Sequence, residues 1–236
     1  MDHAPPIQNK LLAVLPREEY VRAVERMQRV TLPVGEVLCD PGRPIRFVHF
    51  PVTGVFSSVV AFENGAVVEA ATIGNEGMAG LAALVDDRAS PDRVVQRIEG
   101  DVLRLPADEF RALVETGSRF RSVVGRYSLA LLQQYAQNAA CNLHHDIGER
   151  MCRWLLTTAD RIGRDDFRVT QEFLGEMLGV SRQSVNATAG LLQEAGLIAY
   201  RRGRLRVTDR PRLEAAACEC YRVTKEAYDR LMRPAA

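Results

Sequence analysis

The stretch that decides the fold is "TQEFLGEMLGVSRQSVNATAGLLQEAGLI", residues 170–198. Thr170 can cap a first helix whose apolar residues recur at helical spacing, and Gly179 can end that helix. After a tight turn, Ser181 can cap a second helix that carries Val185 on its buried side. Two short helices joined at a glycine predict a helix-turn-helix.

The second of these helices presents short polar side chains on its other face. Arg182 can pair with a guanine edge, and Gln183 and Asn186 can pair with adenine edges in the DNA major groove. Gly175 leaves the first helix without a side chain in its middle, which lets the second helix cross closely. The alternative is an ordinary helical hairpin with a solvated polar face.

A basic hairpin follows in "LIAYRRGRLRVTDR", residues 197–210, where two β-favouring runs flank Arg202-Gly203. Residues 168–212 contain eight basic and four acidic side chains, a net charge of +4 in a chain of net charge +1. Such a local excess suits contacts to DNA phosphates, although a solvated surface would look the same. A helix-turn-helix followed by a basic hairpin is a winged helix.

The N-terminal half has a different pattern. A short amphipathic helix is predicted from Pro16 to Val30, and residues 32–105 form short β-branched runs broken by Gly, Pro and Asn. Asn64-Gly65 between two such runs is a strong hairpin signal. Several short strands at this spacing predict an antiparallel barrel or jelly roll, which can enclose a small ligand.

A long helix is predicted between Phe120 and Leu143, because two near-heptad apolar seams run along this segment. Such a helix needs a partner, either its twin in a second subunit or the chain's own barrel, and both can hold together. The first seam comprises Phe120, Val124, Tyr127 and Leu131, and the second comprises Leu129, Leu132, Ala136, Ala139 and Leu143.

The segment "HHDIGERMCRWLL", residues 144–156, is where the long helix should end. Asp146 and Glu149 form the D-x-x-E pattern of a helix start. His145 and Glu149 could instead bind a metal, but a metal site needs three or more convergent ligands, so the helix start is favoured. His145 and Asp146 are therefore predicted to form a hinge between the barrel and the winged helix.

The five cysteines, Cys39, Cys141, Cys152, Cys218 and Cys220, are odd in number. Only Cys218-Glu219-Cys220 forms a pattern, and one C-x-C pair without a second pair nearby falls short of the four ligands of a zinc site. Free thiols in a reducing compartment, and no metal site, are expected. With no long apolar run and no signal sequence at the start, a cytoplasmic protein without membrane contact is expected.

An enzyme is not expected. No serine or cysteine lies in a nucleophile motif, and no phosphate-binding loop is present. A metal enzyme built on such a barrel would need several His and Glu ligands on its strands, and the barrel region contains only His49.

The order of barrel, long helix, hinge and winged helix, together with "LGVSRQSV" and "LLQEAGLI", resembles the Crp/Fnr family of bacterial transcription regulators over about residues 10–215. The resemblance implies an α+β fold with an N-terminal antiparallel jelly-roll barrel of the cyclic-nucleotide-binding type. It also implies a homodimer that binds a two-fold symmetric site on double-stranded DNA. RNA polymerase is a further candidate partner. The implied segments are a sensor barrel (10–115), a dimerisation helix (116–145), a winged helix-turn-helix (146–215) and a C-terminal helical tail (216–236).

Residues 181–185, Ser-Arg-Gln-Ser-Val, correspond to the family's S-R-E-T-V at the recognition helix. Gln183 stands in place of the usual Glu, and Ala187 in place of a frequent Arg. An amide both donates and accepts, so a half-site other than TGTGA is predicted, with Gln183 and Asn186 favouring adenine. The predicted DNA contacts are Thr170, Ser181, Arg182, Gln183, Ser184, Asn186, Arg201, Arg202 and Arg204.

The sensor departs from the cyclic-nucleotide binders of the family. Their Gly-Glu-Leu turn corresponds here to Gly80-Leu81-Ala82, which lacks the carboxylate, and no Arg is followed by Ser or Thr in "DDRASPDRVVQ". Because charged contacts to phosphate supply much of such affinity, cyclic AMP binding in the usual way is not expected. The candidate ligand-binding residues are Gly80, Leu81, Arg88, Arg93 and Tyr135.

The cofactor stays unidentified. The N-terminal cysteine cluster that holds an iron–sulfur centre in some family members is absent, since Cys39 is the only cysteine before Cys141. Haem bound through His49 remains an alternative, as does a cyclic-nucleotide sensor whose DNA contacts are secondary.

Overall fold

The computed structural model describes residues 9–85 and 89–231. Two short helices, α1 (Lys10–Ala13) and α2 (Arg17–Val24), precede strand β1 (Gln28–Leu32). The helix predicted to reach Val30 therefore ends earlier. Its last residues instead form β1, because they pair antiparallel with a later strand, β7 (Gly100–Pro106).

The N-terminal domain consists of two antiparallel sheets that enclose a common core. One sheet has the strand order β2-β6-β4-β5 and the other has the order β1-β7-β3. Their inward-facing residues, such as Phe50, Phe56 and Leu105, are fully buried. The predicted antiparallel barrel is confirmed. The remaining strands are β2 (Val37–Cys39), β3 (Phe47–Pro51), β4 (Val55–Ala61), β5 (Val67–Ile73) and β6 (Arg93–Ile98).

The hairpin predicted at Asn64-Gly65 joins β4 and β5. Gly65 adopts a left-handed backbone with φ of 83°, which glycine tolerates without steric cost. The Asn64 side chain accepts a hydrogen bond from the backbone N–H of Ala66 at 3.0 Å.

After α3 (Ala107–Thr116) comes the long helix α4 (Ser118–His144), as predicted. Its two apolar seams have different environments. The first, from Phe120 to Leu131, is buried against the barrel of its own chain, with Tyr127 inaccessible to solvent. The second is exposed, and Leu143 at its end is 91% accessible. The first seam thus packs within the chain, and the second lies open in the single chain.

The C-terminal part begins with helix α5 (Ile147–Ile162), which a capping box of Asp146 and Glu149 starts as predicted. The helix-turn-helix pair and the wing hairpin follow, and two further helices end the described chain. The bounds are β8 (Asp166–Arg168), α6 (Gln171–Leu178), α7 (Arg182–Glu194), β9 (Ile198–Arg201), β10 (Arg204–Val207), α8 (Arg210–Ala216) and α9 (Cys220–Leu231).

The winged helix packs directly on the barrel. The indole N–H of Trp154 on α5 donates to the buried carboxylate of Glu69 on β5 at 3.0 Å. The sulfur of Met177 on α6 lies 3.5 Å from the hydroxyl of Ser57 on β4. Barrel residues such as Val59 share one apolar cluster with α5, α6 and α7. The barrel and the helices of the winged helix therefore share one packed interface.

No helix within the described ranges is both long enough and apolar enough to cross a membrane.

Candidate DNA interface, sensor cavity and thiol cluster

The two helices of the helix-turn-helix begin and end as the sequence predicts. The Thr170 hydroxyl accepts from the backbone N–H of Phe173 at 3.1 Å, and the Ser181 hydroxyl accepts from the backbone N–H of Ser184 at the same distance. Gly179 ends α6 in the left-handed region, with φ of 65°. Each cap satisfies a backbone donor that the first turn of a helix leaves unpaired.

The turn between α6 and α7 lies against α6 at Gly175. A Cβ atom at this position would lie 2.8 Å from the backbone oxygen of Val180. The backbone of Val180 cannot retreat as a flexible side chain would. Glycine is therefore required here for close packing rather than for its backbone angles.

Helix α7 has one buried and one exposed face. Val185 is buried, whereas Arg182, Gln183 and Asn186 are exposed in the first two turns. The side-chain amide of Gln171 on α6 donates to Asn186 Oδ1 at 2.8 Å, a contact that the sequence did not reveal. The structure thus brings the three predicted base-reading side chains together on one face and orients one of them from α6.

The wing is a three-stranded antiparallel sheet of order β8-β10-β9. Its tip is Arg202-Gly203, and both residues have positive φ, 50° and 73°, as tight hairpins of type I′ require. Arg201, Arg202 and Arg204 are exposed around this tip, and Arg204 also pairs with Asp166 at 3.0 Å. The hydrogen bond from Arg204 lowers the pKa of the Asp166 carboxyl.

A cavity of about 930 Å³ opens between the four-stranded barrel sheet, the short 3₁₀ helix Leu81–Leu84 and α4. Four of the five candidate ligand-binding residues line it. They are Gly80, Leu81, Arg93 and Tyr135. The fifth, Arg88, lies outside the described residues.

The polar lining of this cavity centres on the carboxylate of Asp92, a residue that no sequence pattern indicated. The Ser58 hydroxyl donates to Asp92 Oδ2 at 2.8 Å, and the Tyr135 hydroxyl lies 2.9 Å from Ser58 Oγ. Burial raises the pKa of Tyr135 to about 12, so the phenol stays protonated at neutral pH. Arg93 is paired with Asp40 at 3.6 Å. The arginine that lines the cavity is thus already matched by a carboxylate.

His49 lies in the barrel core and is not among the cavity-lining residues. Its ring packs between Phe47 and Phe56, with centroid separations of 6.3 and 6.5 Å. Burial, together with the nearby charge of Arg104, lowers the pKa of His49 to about 4. A neutral imidazole held between aromatic rings is a packing residue, and this geometry does not favour haem binding through His49.

The expectation of no metal site at Cys218 and Cys220 depended on the lack of a second ligand pair nearby in the sequence, but the fold brings two further potential ligands to them. The tail folds back along α4, so the Sγ atoms of Cys218, Cys220 and Cys141 and a ring nitrogen of His145 all lie within 4.8 Å of one another. The three thiols are buried. The hydrogen bond from Cys218 lowers the pKa of Cys141 despite burial, and the charge of Arg153 adds to this effect.

The predicted hinge lies at the same place. His145 follows α4 with an extended backbone, φ of −99° and ψ of 150°, and Asp146 caps the start of α5. These two residues connect the long helix to the winged helix without an intervening loop.

Comparison with known proteins agrees with this architecture. The cyclic nucleotide-binding domain family matches residues 29–116, and the Crp-like helix-turn-helix domain family matches residues 149–216. No curated protein gives a significant match.

Solved structures share the fold at low sequence identity. FixK2 from Bradyrhizobium japonicum has a TM-score of 0.70 at 14% identity, covering 81% of this chain and 98% of its own. A CRP-family transcriptional regulator from Thermus thermophilus has a TM-score of 0.67 at 21% identity, covering 81% and 96%. The c-di-GMP-responsive regulator CLP from Xanthomonas campestris has a TM-score of 0.66 at 16% identity, covering 82% and 100%.

A sensor barrel joined through a long helix to a winged helix defines a DNA-binding transcription regulator that responds to a signal. The two matched domains together span about two thirds of the chain, which belongs to the Crp/Fnr family. This is a family of transcription regulators rather than of enzymes, and DNA is its partner.

Proposed function

We propose that the chain acts as a cytoplasmic homodimer that reads a two-fold symmetric DNA site through α7 and senses a ligand other than cyclic AMP in its barrel. The observation that carries the DNA-reading part is the exposed face of α7. Arg182, Gln183 and Asn186 project from its first two turns, where helix-turn-helix proteins contact base edges.

The side chains on this face suit both guanine and adenine. Arg182 offers paired donors to a guanine, while the amides of Gln183 and Asn186 can each donate and accept at an adenine edge. Ala187 is exposed on the same helix and offers only a methyl group. The half-site should therefore differ from TGTGA and contain adenine opposite Gln183 or Asn186.

The remaining predicted contacts serve the DNA backbone. The cap residues Thr170 and Ser181, with the neighbouring Ser184, lie at the starts of α6 and α7, where backbone N–H groups and hydroxyls attract phosphate. Arg201 and Arg202 extend from the wing. These contacts position the protein without reading sequence.

The second seam of α4 supports a homodimer. Leu129 and Leu132 are 68% and 64% exposed in the single chain and recur at helical spacing with Leu143. A second copy of α4 would bury the same stripe on both subunits, as two-fold symmetry requires. The two α7 helices would then face successive major grooves of one two-fold symmetric DNA site. The dimer bound to this site could also contact RNA polymerase.

The sensor cavity supports a ligand without a phosphate. Its lining is mostly apolar, and its polar centre is the Asp92 carboxylate with Ser58 and Tyr135. A cyclic phosphate near Asp92 would meet like charge, and the Arg93 guanidinium already pairs with Asp40. An apolar molecule that carries a hydrogen-bond donor or a positive charge fits this lining better.

The test begins with a DNA site selected from random duplexes, with affinity measured by fluorescence anisotropy at one fixed salt concentration. Arg182→Ala should weaken the selected site by about 1–3 kcal/mol and leave random DNA almost unchanged. Arg202→Ala should weaken both equally and reduce the slope of log affinity against log salt by about one. Selection of TGTGA, or equal effects of the two changes on both DNAs, contradicts the reading role.

The dimer and the sensor need separate measurements. Leu129→Glu with Leu132→Glu should yield monomers in sedimentation velocity, while Val34→Glu, at a similarly exposed position in the barrel, should leave the dimer intact. Cyclic AMP should change the affinity for the selected site by less than tenfold, which corresponds to about 1.4 kcal/mol of coupling. A larger effect would contradict the proposal that the barrel senses a ligand other than cyclic AMP. It would leave the proposed role of α7 in DNA reading unchanged.

A further inference from the structure

Four ligand atoms converge where the long helix ends. Cys141 lies in the last turn of α4, and His145 follows that helix directly. Cys220 is the first residue of α9, and Cys218 lies two residues before it. Their ligand atoms all lie within 4.8 Å of one another. Neither the sensor cavity nor the DNA-reading face uses any of these residues.

The spacing of these atoms is that of ligands around a single ion. Zinc binds thiolate sulfur at about 2.3 Å and imidazole nitrogen at about 2.0–2.1 Å in tetrahedral sites, which places neighbouring ligand atoms roughly 3.5–3.8 Å apart. Here the Sγ atoms of Cys141 and Cys218 are 3.6 Å apart, and Cys220 Sγ lies 3.6 Å from His145 Nδ1. A small contraction of the other separations would complete a tetrahedron.

The surroundings orient these ligands. The other ring nitrogen of His145, Nε2, lies 3.1 Å from a carboxylate oxygen of Glu219. A carboxylate in this position fixes the ring tautomer that leaves Nδ1 available to a metal. The side-chain amide of Gln137 donates to Cys220 Sγ at 3.0 Å, a contact that stabilises thiolate charge.

The donor set selects the metal. Three thiolates and one imidazole in a tetrahedron suit zinc, and four protein ligands leave no open position, which is typical of a structural site. A cluster of several iron atoms would need its ligand atoms spread farther apart than a single ion does. A disulfide between Cys141 and Cys218 would require an S–S separation of about 2.05 Å, whereas the two Sγ atoms lie 3.6 Å apart.

We propose that one zinc ion is bound by Cys141, His145, Cys218 and Cys220. This ion would link the start of α9 to the end of α4, beside the hinge. Binding exchanges the protons of the thiols for the metal, and those protons pass to solvent. All four residues lie outside the stretches that match the two domain families, 29–116 and 149–216. The proposed site therefore lies outside both matched domains.

The experiment measures metal content in the full-length protein purified with a reductant and without chelator. Elemental analysis should find about one zinc per chain, and Cys141→Ser or Cys220→Ser should reduce this at least tenfold. The matched controls are Cys39→Ala and Cys152→Ala, which remove the two buried cysteines outside the cluster. Both should retain the zinc.

A second measurement does not depend on the folding of any variant. Wild-type protein stripped of metal and titrated with Co²⁺ should develop the visible bands of tetrahedral cobalt with thiolate charge transfer, saturating at one equivalent, and zinc should displace it. Absence of zinc and of these bands overturns the proposal. Equal metal loss in the Cys39 or Cys152 variants would also overturn it. The same holds for a Cys141–Cys218 disulfide in the reduced protein, and for iron with acid-labile sulfide instead of zinc.

Discussion

The guanidinium of Arg161 on α5 lies 2.7 Å from the carboxylate of Glu76 in the barrel, and the two side chains are only 5% and 10% exposed. Arg161 also donates to Gln134 on α4 at 3.3 Å, and Glu76 accepts from the backbone N–H of Gly74 at 3.1 Å. This ion pair therefore joins the winged helix, the barrel and the long helix at one point.

Arg161→Met should destabilise the protein by about 3–5 kcal/mol, because it leaves the Glu76 carboxylate buried without its partner. The double change Arg161→Met with Glu76→Met should recover most of this loss, since no buried charge remains. Urea unfolding at a fixed protein concentration measures both. Arg26→Ala, which breaks the exposed pair with Glu109, should cost no more than about 1 kcal/mol. Equal losses for the buried and exposed pairs would contradict the assignment.

Gly175→Ala should disrupt the turn of the helix-turn-helix, because its Cβ would lie 2.8 Å from the Val180 backbone oxygen. Overpacking of this kind costs about 1–3 kcal/mol, and affinity for the selected DNA should fall with it. Gly190→Ala in α7 is the control, since no atom lies within 4 Å of the added Cβ. That change should stabilise the fold by about 0.5–1 kcal/mol. Unfolding free energies that move in the same direction for both variants would refute the packing argument.

Stability should depend on pH through His49. Its pKa is about 4 in the fold, against an ordinary value of 6.5, so the unfolded chain takes up the proton first. The free energy of unfolding should therefore be independent of the titration of His49 above pH 6.5. It should fall by about 3 kcal/mol in total as the pH falls from 6.5 to 4. His49→Gln should show a flatter free energy of unfolding over this range. An unchanged pH profile in that variant would assign the acid sensitivity to other groups.

Gln171→Ala should weaken binding to the selected DNA site by about 0.5–1.5 kcal/mol, because Asn186 loses the hydrogen bond that orients its amide. Random DNA should be bound as before, which provides the internal control in the same anisotropy measurement. If binding to both DNAs fell equally, Gln171 would be a backbone contact rather than an orienting residue.

Local signals in the sequence were sufficient for the elements of the DNA-binding part. The caps Thr170 and Ser181, the turn at Gly179 and the wing tip at Arg202-Gly203 all depend on interactions within a few residues, so pattern alone locates them. The helix predicted from Pro16 to Val30 failed at its end because pairing with β7, some 70 residues away, decides that segment.

The sequence by itself thus determined the order of barrel, long helix and winged helix, since helical period, strand alternation and capping are local properties. The tertiary structure alone decided which distant side chains meet. The Tyr135 hydroxyl donates to the Asp92 carboxylate at 3.3 Å in the lining of the sensor cavity, and Cys218 lies against Cys141, 77 residues earlier, because α9 folds back along α4. The chemistry of the cavity and of the thiol cluster depends on such juxtapositions, which no spacing along the chain encodes.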